Sequence, residues 1–312
     1  MTAPALSTDP VSAASAAEDA AAAGLLSVPP AAPLGSGHVR PVRSARRRSR
    51  ASISLLLAVA VVALAVLWAI VPSLFAPADP LTGVPAQKLL PPSAAHWFGT
   101  DILGRDLFGR VVHGAVQSLS GALIAVTVGL ALGSLIGAVA GAVGGVLDDV
   151  LMRIVDVLLA IPGLLLSLSV IILLGFGTVN AALAVGLGSV AAFARLMRAE
   201  VVRVRCADYV EAAFGSGGTF VAVLRRHVLP NSLTPVLALA ALQFGSAILA
   251  IATLGFLGYG APPPTPEWGL LIAEGRNYVA TSWWLTALPG LVVAAVVLSA
   301  NRIGHSLGRR AS

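Results

Sequence analysis

The run Gly114–Leu147, GAVQSLSGALIAVTVGLALGSLIGAVAGAVGGVL, contains 34 residues without a charged side chain. A helix needs about 20 apolar residues to cross a hydrocarbon core about 30 Å thick. The run is apolar throughout and does not alternate with polar residues, and in lipid only helices and closed barrels satisfy the backbone. It therefore predicts a membrane-spanning helix, at about residues 118–143.

Four other uncharged runs extend the same pattern along the chain. The run 157–194 is too long for one helix, and the turn-forming cluster GFGTVN at 175–180 divides it into two. The fold class is therefore predicted to be all-α: a polytopic membrane protein with six transmembrane helices. These are expected at about 53–75, 118–143, 151–174, 179–197, 233–257 and 283–303.

The composition of the chain excludes several classes of protein. Of its 312 residues, 57% are hydrophobic and 11% are charged, whereas soluble domains carry about 25% charge. Cys206 is the only cysteine, so no disulfide can form within the chain. There is no Walker phosphate loop, no His-Glu-x-x-His sequence and no cysteine pair. We therefore expect no catalytic residues, no metal ligands and no cofactor.

Positive charges indicate the orientation of the helices. With a cytoplasmic N-terminus, the six spans place sixteen of the twenty Lys and Arg residues on cytoplasmic loops. Both termini are then cytoplasmic. The net charge of +6 is explained by topology and by attraction to the anionic lipid bilayer, so no nucleic-acid partner is expected.

The chain divides into three predicted regions. Residues 1–50 are a disordered tail, rich in Ala, Ser and Pro, that ends in an Arg cluster. Residues 51–116 hold the first transmembrane helix and an outer loop, and residues 117–312 form the main transmembrane domain. The Arg cluster and the first apolar run also resemble a cleaved signal peptide. However, signal cores are usually about 7–15 residues long, which favours an uncleaved helix.

Small residues recur every four positions in the second predicted span. Such a stripe lets another helix approach closely and gain van der Waals contact. We therefore predict a helix-packing seam, whose core is expected at Gly129, Gly133, Gly137, Gly141 and Gly145 and which is preceded by Gly121 and Ala125.

The cytoplasmic segment 203–231 separates the fourth and fifth spans. Asp208 and Glu211 are spaced as a capping box, which predicts a short helix over about 209–216. Gly217 is placed to end this helix in a left-handed conformation. A second helical piece is expected at 219–229, with Pro230 opening the fifth span. A helix of two turns is marginal in water and should need a partner surface.

Several motifs in this chain resemble one family of membrane proteins. Glu211-Ala212-Ala213, Gly217 and Leu229-Pro230 resemble the "EAA…G…LP" loop of bacterial ABC-importer permeases. Asp208 and Tyr209, with four flanking segments, resemble the second permease subunit of the dipeptide/oligopeptide/nickel branch. These segments are Phe98–Asp106, Met152–Pro162, Pro264–Gly269 and Ala273–Arg276.

The resemblance implies the type I ABC-importer permease fold in a bacterial inner membrane. It implies four kinds of neighbour: a second homologous permease, two ABC ATPase subunits, an extracytoplasmic substrate-binding protein and the bilayer. The helix at 208–217 would dock on an ATPase, with Glu211 anchoring the loop through charge-assisted bonds. The residues implied in ATPase coupling are Asp208, Tyr209, Glu211, Ala212, Ala213, Gly217, Leu229 and Pro230.

Some alternatives stay open at this stage. Short peptides are the first expected substrate, and nickel or another small solute is the second. An ion-coupled secondary transporter would need membrane-embedded charges, for which Asp156 is the one candidate. A structural ion pair between Asp156 and Arg153, three residues earlier, is favoured instead. Asp101, Arg105 and Asp106 are expected to organise an outer amphipathic segment.

Overall fold

The computed structural model describes the backbone of residues 45–311 and the side chains of residues 53–308. Contacts divide the chain into Met1–Arg46 and Arg47–Ser312, and the description below concerns the second unit. Residues 1–44 of the predicted disordered tail, with Arg40 and Arg43, lie outside the described residues. The backbone of residues 45–50 is helical and begins the first helix, so the prediction of disorder was wrong for these six residues.

The described part of the chain is helical, and it contains one isolated bridge, between Thr100 and Asp106. Nine helices are labelled here. They are α1 (Ala45–Ile70), α2 (Leu107–Val143), α3 (Gly145–Ala160), α4 (Gly163–Leu174), α5 (Thr178–Arg205), α6 (Asp208–Gly215), α7 (Leu229–Phe256), α8 (Trp268–Gly275) and α9 (Trp284–Ala311). Shorter helical pieces are Pro72–Phe75, Pro85–Gln87, Phe220–Val223, Leu224–Val228 and Arg276–Tyr278.

Within the described residues, five helices are long and apolar enough to cross a membrane, and a sixth span is counted if α3 and α4 are taken together. The prediction of an all-α polytopic protein is confirmed. The predicted helix ends differ from the observed ones because helices continue past the apolar runs: α2 begins at Leu107 and α5 ends at Arg205. Asp106 starts α2, since its carboxylate accepts a hydrogen bond from Gly109 N at 2.7 Å.

The third predicted span, 151–174, is not one helix. It is bent by 96° between α3 and α4. Ile161 has an extended backbone, as expected for a residue before proline, and Pro162 has no N–H to continue the helical ladder. The prediction of a continuous helix was wrong because hydropathy measures the length of an apolar run and carries no information on its direction.

The glycine stripe of α2 lies against α5. A methyl group on Gly129 would overlap Ser189, and one on Gly137 would overlap the carbonyl of Ala194. At Gly133 an added Cβ would lie 2.5 Å from Val190 O. Gly141 is similarly close to Arg198. The two backbones are therefore in contact along these four glycines.

Gly145 lies apart from this stripe. It begins α3, after the turn at Gly144, and an added Cβ would meet no atom within 4 Å. The expectation that Gly145 continues the stripe was wrong because α2 ends at Val143 and the chain changes direction there.

The core is centred on α2, α5, α7 and α9. α7 packs against α9, α5 and α2, and α8 fills the space between α7 and α9 on the predicted outer side. Buried side chains of this core include Val112, Phe193, Ile248 and Trp268. This arrangement carries α6 at the predicted cytoplasmic end of α5.

Candidate coupling site

The short helix α6 follows α5 after only two residues. Ala207 turns the chain, and its carbonyl accepts from Val210 N at 2.9 Å. Ala207 is the N-cap, and no side chain caps this helix. The prediction that Asp208 is the N-cap was therefore wrong. Asp208 is the first helical residue, where its negative charge, like that of Glu211, still favours the N-terminal end of the helix dipole.

Gly217 closes the turn after α6. Its φ is +85°, in the left-handed region, as the sequence predicts. Gly217 N donates to Phe214 O at 2.9 Å, and Gly218 N donates to Ala213 O at 3.1 Å. The last carbonyls of α6 are thereby paired, and the chain reverses toward α7.

One face of α6 is anchored in the protein core. Val210 is fully buried and belongs to the same cluster as Val204 at the end of α5 and Val223 and Val228 before α7. Ala213, which is partly buried, packs against this cluster. The helix is therefore held in place by apolar contact on one side, although its own length would leave it marginal.

The opposite face of α6 is exposed. Tyr209, Glu211, Ala212 and Phe214 all lie on the surface. Within the described residues, the Glu211 carboxylate makes no hydrogen bond or ion pair. The charge-assisted bonds predicted for Glu211 are therefore not formed within this part of the chain. This face presents a carboxylate, a phenol and an aromatic ring on the surface.

The chain that leaves the turn is helical from Phe220 to Phe256. Leu224–Val228 is wound as a π-helix, in which Leu229 N donates to Leu224 O. Pro230 has no N–H for the carbonyl four residues earlier, and the looser turn lies directly before it. Leu229 packs on the core and Pro230 is exposed. The predicted separate piece at 219–229 is thus joined to α7.

Two arginines near the end of α5, which the sequence did not identify as structural, connect α5 to α2 and α3. Arg205 Nη1 donates to the carbonyls of Gly141 (2.8 Å) and Ala142 (2.6 Å) at the end of α2. Arg198 forms a bidentate pair with Asp148 of α3, with N–O distances of 2.5 and 2.6 Å. A basic residue near a helix end is a general signal for such carbonyl bonds, but its partners lie about 60 residues away.

Asp156 is paired with Arg195 of α5 at 2.6 Å, and not with Arg153 as predicted. The neighbour in sequence was chosen because spacing shows only contacts within one helix. Both side chains are more than half exposed (53% for Asp156 and 56% for Arg195), so we expect the pair to add little to stability.

On the predicted outer side, the segment before α2 is held together by ion pairs that are buried beneath an exposed surface. Asp101 accepts from Arg105 Nε (2.6 Å) and Arg110 Nη1 (2.8 Å), and all three side chains are buried. Arg110 also bonds to Glu274 of α8. Asp106 caps α2 and contacts His96 at 3.0 Å. The three predicted charges therefore do organise this segment, Asp101 and Arg105 through a buried ion pair and Asp106 through its bonds to Gly109 and His96.

Glu267 is a second buried carboxylate on this side. Its oxygens accept from Gly269 N (2.8 Å) and Leu270 N (3.0 Å), so that it caps α8, and Ser118 of α2 lies 3.4 Å away. Burial raises the pKa of Glu267 to about 7, against the lowering effect of these hydrogen bonds. Across the described residues, no group of three or more His, Cys, Asp or Glu is arranged to hold a metal ion.

The helical bundle with its exposed loop helix has the fold of known membrane transport subunits. A chain of the MetNI methionine ABC transporter in an inward-facing form has the same fold, with a TM-score of 0.54 at 18% identity over 66% of this chain and 98% of that one. An amino acid ABC transporter solved with histidines gives 0.51 at 16% identity, over 65% and 94%. The fold is that of an ABC transporter permease.

Residues 133–312 match the family described as binding-protein-dependent transport system inner membrane component, and the chain belongs to this family. A probable D,D-dipeptide transport permease of Escherichia coli (strain K12) is 40% identical, over 70% of this chain and 74% of its own length. A dipeptide transport permease of Alkalihalophilus pseudofirmus is 39% identical, over 72% and 73%. A glutathione transport permease of Shigella flexneri is 43% identical, over 69% and 71%.

These findings confirm the resemblance on which the sequence analysis relied. The protein is a multi-pass permease of the inner membrane, and ABC transporters of this family work with ATPase and substrate-binding partners in general.

Proposed function

We propose that this chain is a permease subunit of an importer for short peptides. The three relatives above are named for transport of a D,D-dipeptide, a dipeptide and glutathione, which are all short peptides. The chain would form the translocation path with a second homologous permease and receive substrate from an extracytoplasmic binding protein. Two ATPase subunits would complete the assembly, one of them bound at α6.

The observation that carries the coupling proposal is the two-sided character of α6. Val210 and Ala213 fix the helix to the core, while Tyr209, Glu211 and Phe214 are exposed on the side predicted to be cytoplasmic. A rigid, exposed helix of eight residues suits the task of transmitting a movement of a bound ATPase. Asp208, Ala212, Gly217, Leu229 and Pro230 would shape and support this surface.

Exposed apolar side chains on the broken third span support a second permease or lipid as its neighbour. Ile172 and Leu173 of α4 are 72% and 85% exposed, and several residues of α3 share this character. In a membrane such a surface is covered by acyl chains or by another helical subunit.

The test is co-expression with candidate ATPase, permease and binding-protein subunits, followed by reconstitution into proteoliposomes. ATP-dependent uptake of radiolabelled Ala-Ala is expected. Glu211→Lys should abolish copurification of the ATPase and uptake, with membrane insertion unchanged. The matched control Asp79→Lys reverses an exposed charge on the predicted outer side and should retain the ATPase.

Full transport by Glu211→Lys would contradict the coupling role of α6. A chain that is stable alone and binds no ATPase would favour an ion-coupled transporter, and Asp156 would then be the next residue to change. ATP-dependent uptake of nickel in place of Ala-Ala would keep the coupling role and change the substrate.

A further inference from the structure

A cavity of about 230 Å³ lies between four helices of the bundle. Its polar lining consists of Ser167 of α4, Ser189 of α5, and Gln243 and Ser246 of α7. Gln243 lies at the middle of α7, and Ser189 lies near the middle of α5. The polar groups are therefore close to the centre of the predicted bilayer.

These side chains have hydrogen-bonding capacity that the protein leaves unused. Ser189 Oγ donates to Gly186 O at 2.8 Å. Within the described part of the chain, the side chains of Ser167, Gln243 and Ser246 make no hydrogen bond, although Ser167 is only 4% exposed. A glutamine amide supplies two donors and two lone pairs, which a molecule in the cavity can pair.

The break of the third span adds backbone donors to the same cavity. Gly163 and Leu164, the first residues of α4, line it. Pro162 stands at the N-cap and no side chain caps the helix, so its first N–H groups and the positive end of its dipole are available. Discontinuous helices that begin at the bilayer centre are typical of substrate sites in transporters.

The lining carries no charged residue. The remaining wall is apolar, with Leu164 as its largest side chain beside Ala125, Val126, Val185, Gly188, Ala247 and Ala250. Neutral donors and acceptors in such a wall match the peptide group, which every peptide has, and offer no ion-pair partner that would retain one particular side chain.

We propose that this cavity is a subsite of the translocation path that hydrogen-bonds the backbone of a short peptide in transit. Gln243 and Ser167 would bond the amide, and the start of α4 would bond a carbonyl or the terminal carboxylate. The cavity is smaller than the roughly 300–1,000 Å³ of whole ligand pockets, so it holds part of a peptide. The inference rests on the proposed function as a peptide permease.

The first test is uptake of Ala-Ala by the reconstituted complex with saturating binding protein. Gln243→Leu should lower uptake roughly three- to tenfold, the range for loss of a single hydrogen bond, with the ATPase still bound. The matched control is Gln117→Leu on α2, which makes the same exchange outside this cavity and should transport like the wild type.

The second test labels a cysteine with a cationic thiol reagent in a chain that carries Cys206→Ser. Ser246→Cys should react faster than Leu249→Cys, which lies three residues further along α7 outside the cavity. Ala-Ala delivered by the binding protein should slow the reaction at position 246 only.

Each negative result has a distinct meaning. Equal uptake by Gln243→Leu and Gln117→Leu, or equal labelling at positions 246 and 249, overturns the subsite while leaving the permease function intact. Absence of Ala-Ala uptake by the wild-type complex, with position 246 still labelled, overturns the peptide assignment and the subsite together.

Discussion

At the scale of single residues, the structure explains Gly217 by its backbone conformation and not by a lack of space for a side chain. Its φ is +85°, yet an added Cβ would meet no atom within 4 Å. A side chain there is disfavoured only by the left-handed conformation, at about 1–2 kcal/mol, and asparagine tolerates that conformation best.

We expect Gly217→Val to lower Ala-Ala uptake per ATP hydrolysed in the reconstituted complex. Gly217→Pro should do so more strongly, because proline fixes φ near −65°. Gly217→Asn should stay close to the wild type. A similar loss for asparagine and valine would show that glycine is needed for close approach of a partner and not for the turn.

The buried carboxyl group of Glu267 predicts that the stability of the fold depends on pH. Its pKa is raised from 4.5 to about 7 in the folded protein, so between these values the folded state binds more protons than the unfolded state. The stabilisation from this group is therefore complete below about pH 4.5 and is lost as the pH rises through 7. With about 1.4 kcal/mol for each pKa unit, the effect is at most about 3 kcal/mol.

The measurement is the melting temperature of the purified protein in detergent between pH 5 and pH 8. Glu267→Gln keeps an oxygen acceptor for the start of α8 but cannot ionise, so its melting temperature should fall less across this range. Parallel curves for the wild type and the variant would show that Glu267 does not titrate in this window.

These residues also show what could be predicted locally. The turn at Gly217 was predicted because its cause, a helix end next to a glycine, lies within a few residues. The burial of Glu267 depends in part on Ser118, which lies 149 positions away in sequence. The partner of Asp156 was wrong for the same reason, since Arg195 is 39 positions away.

At the scale of elements, the seam between α2 and α5 predicts a steep dependence on side-chain volume. Gly137→Ala places a methyl group against the carbonyl of Ala194, so we expect a loss of about 1–3 kcal/mol from overpacking. The control is Gly290→Ala in α9, where the added Cβ meets no atom within 4 Å and helix propensity improves.

Thermal unfolding in detergent checks this pair of variants. The melting temperature should fall for Gly137→Ala and stay level or rise for Gly290→Ala. A fall of equal size in both would mean that glycine content, and not the contact with α5, limits the stability of these helices.

The four-residue repeat thus located a stretch of close contact but not its partner or its end. Periodicity within α2 fixes which residues share a face, whereas the choice of α5 follows from tertiary packing. The direction of the broken third span was equally hidden. Pro162 was visible in the sequence, but many prolines are accommodated within spans, as Pro235 is in α7 and Pro289 in α9.

At the scale of the whole molecule, the predicted orientation places Cys206 in the cytoplasm, where the structure shows it exposed. A membrane-impermeant maleimide should therefore label Cys206 in inside-out vesicles and not in intact cells. Ala94→Cys, in a chain with Cys206→Ser, exposes a thiol on the outer segment and should show the reverse pattern. Labelling of both from one side would contradict the topology.

The number of spans and the position of the exposed loop could be predicted because they depend on apolar length, charge and a local motif. The cavity at Gln243 could not, because four helices from distant parts of the chain contribute to it. A single glutamine within an apolar run shows only that a polar group is there.

The contact between α2 and α5 has a mechanical consequence. The backbones of α2 and α5 touch, and Arg205 joins the ends of the two helices. The pair therefore has little room to slide and would tilt as one rigid unit. With a rise of 1.5 Å for each residue, α5 is about 42 Å long. A force on α6 that tilts this helix pair by about 5° would move the other end of α5 by about 4 Å, which is more than the diameter of a water molecule.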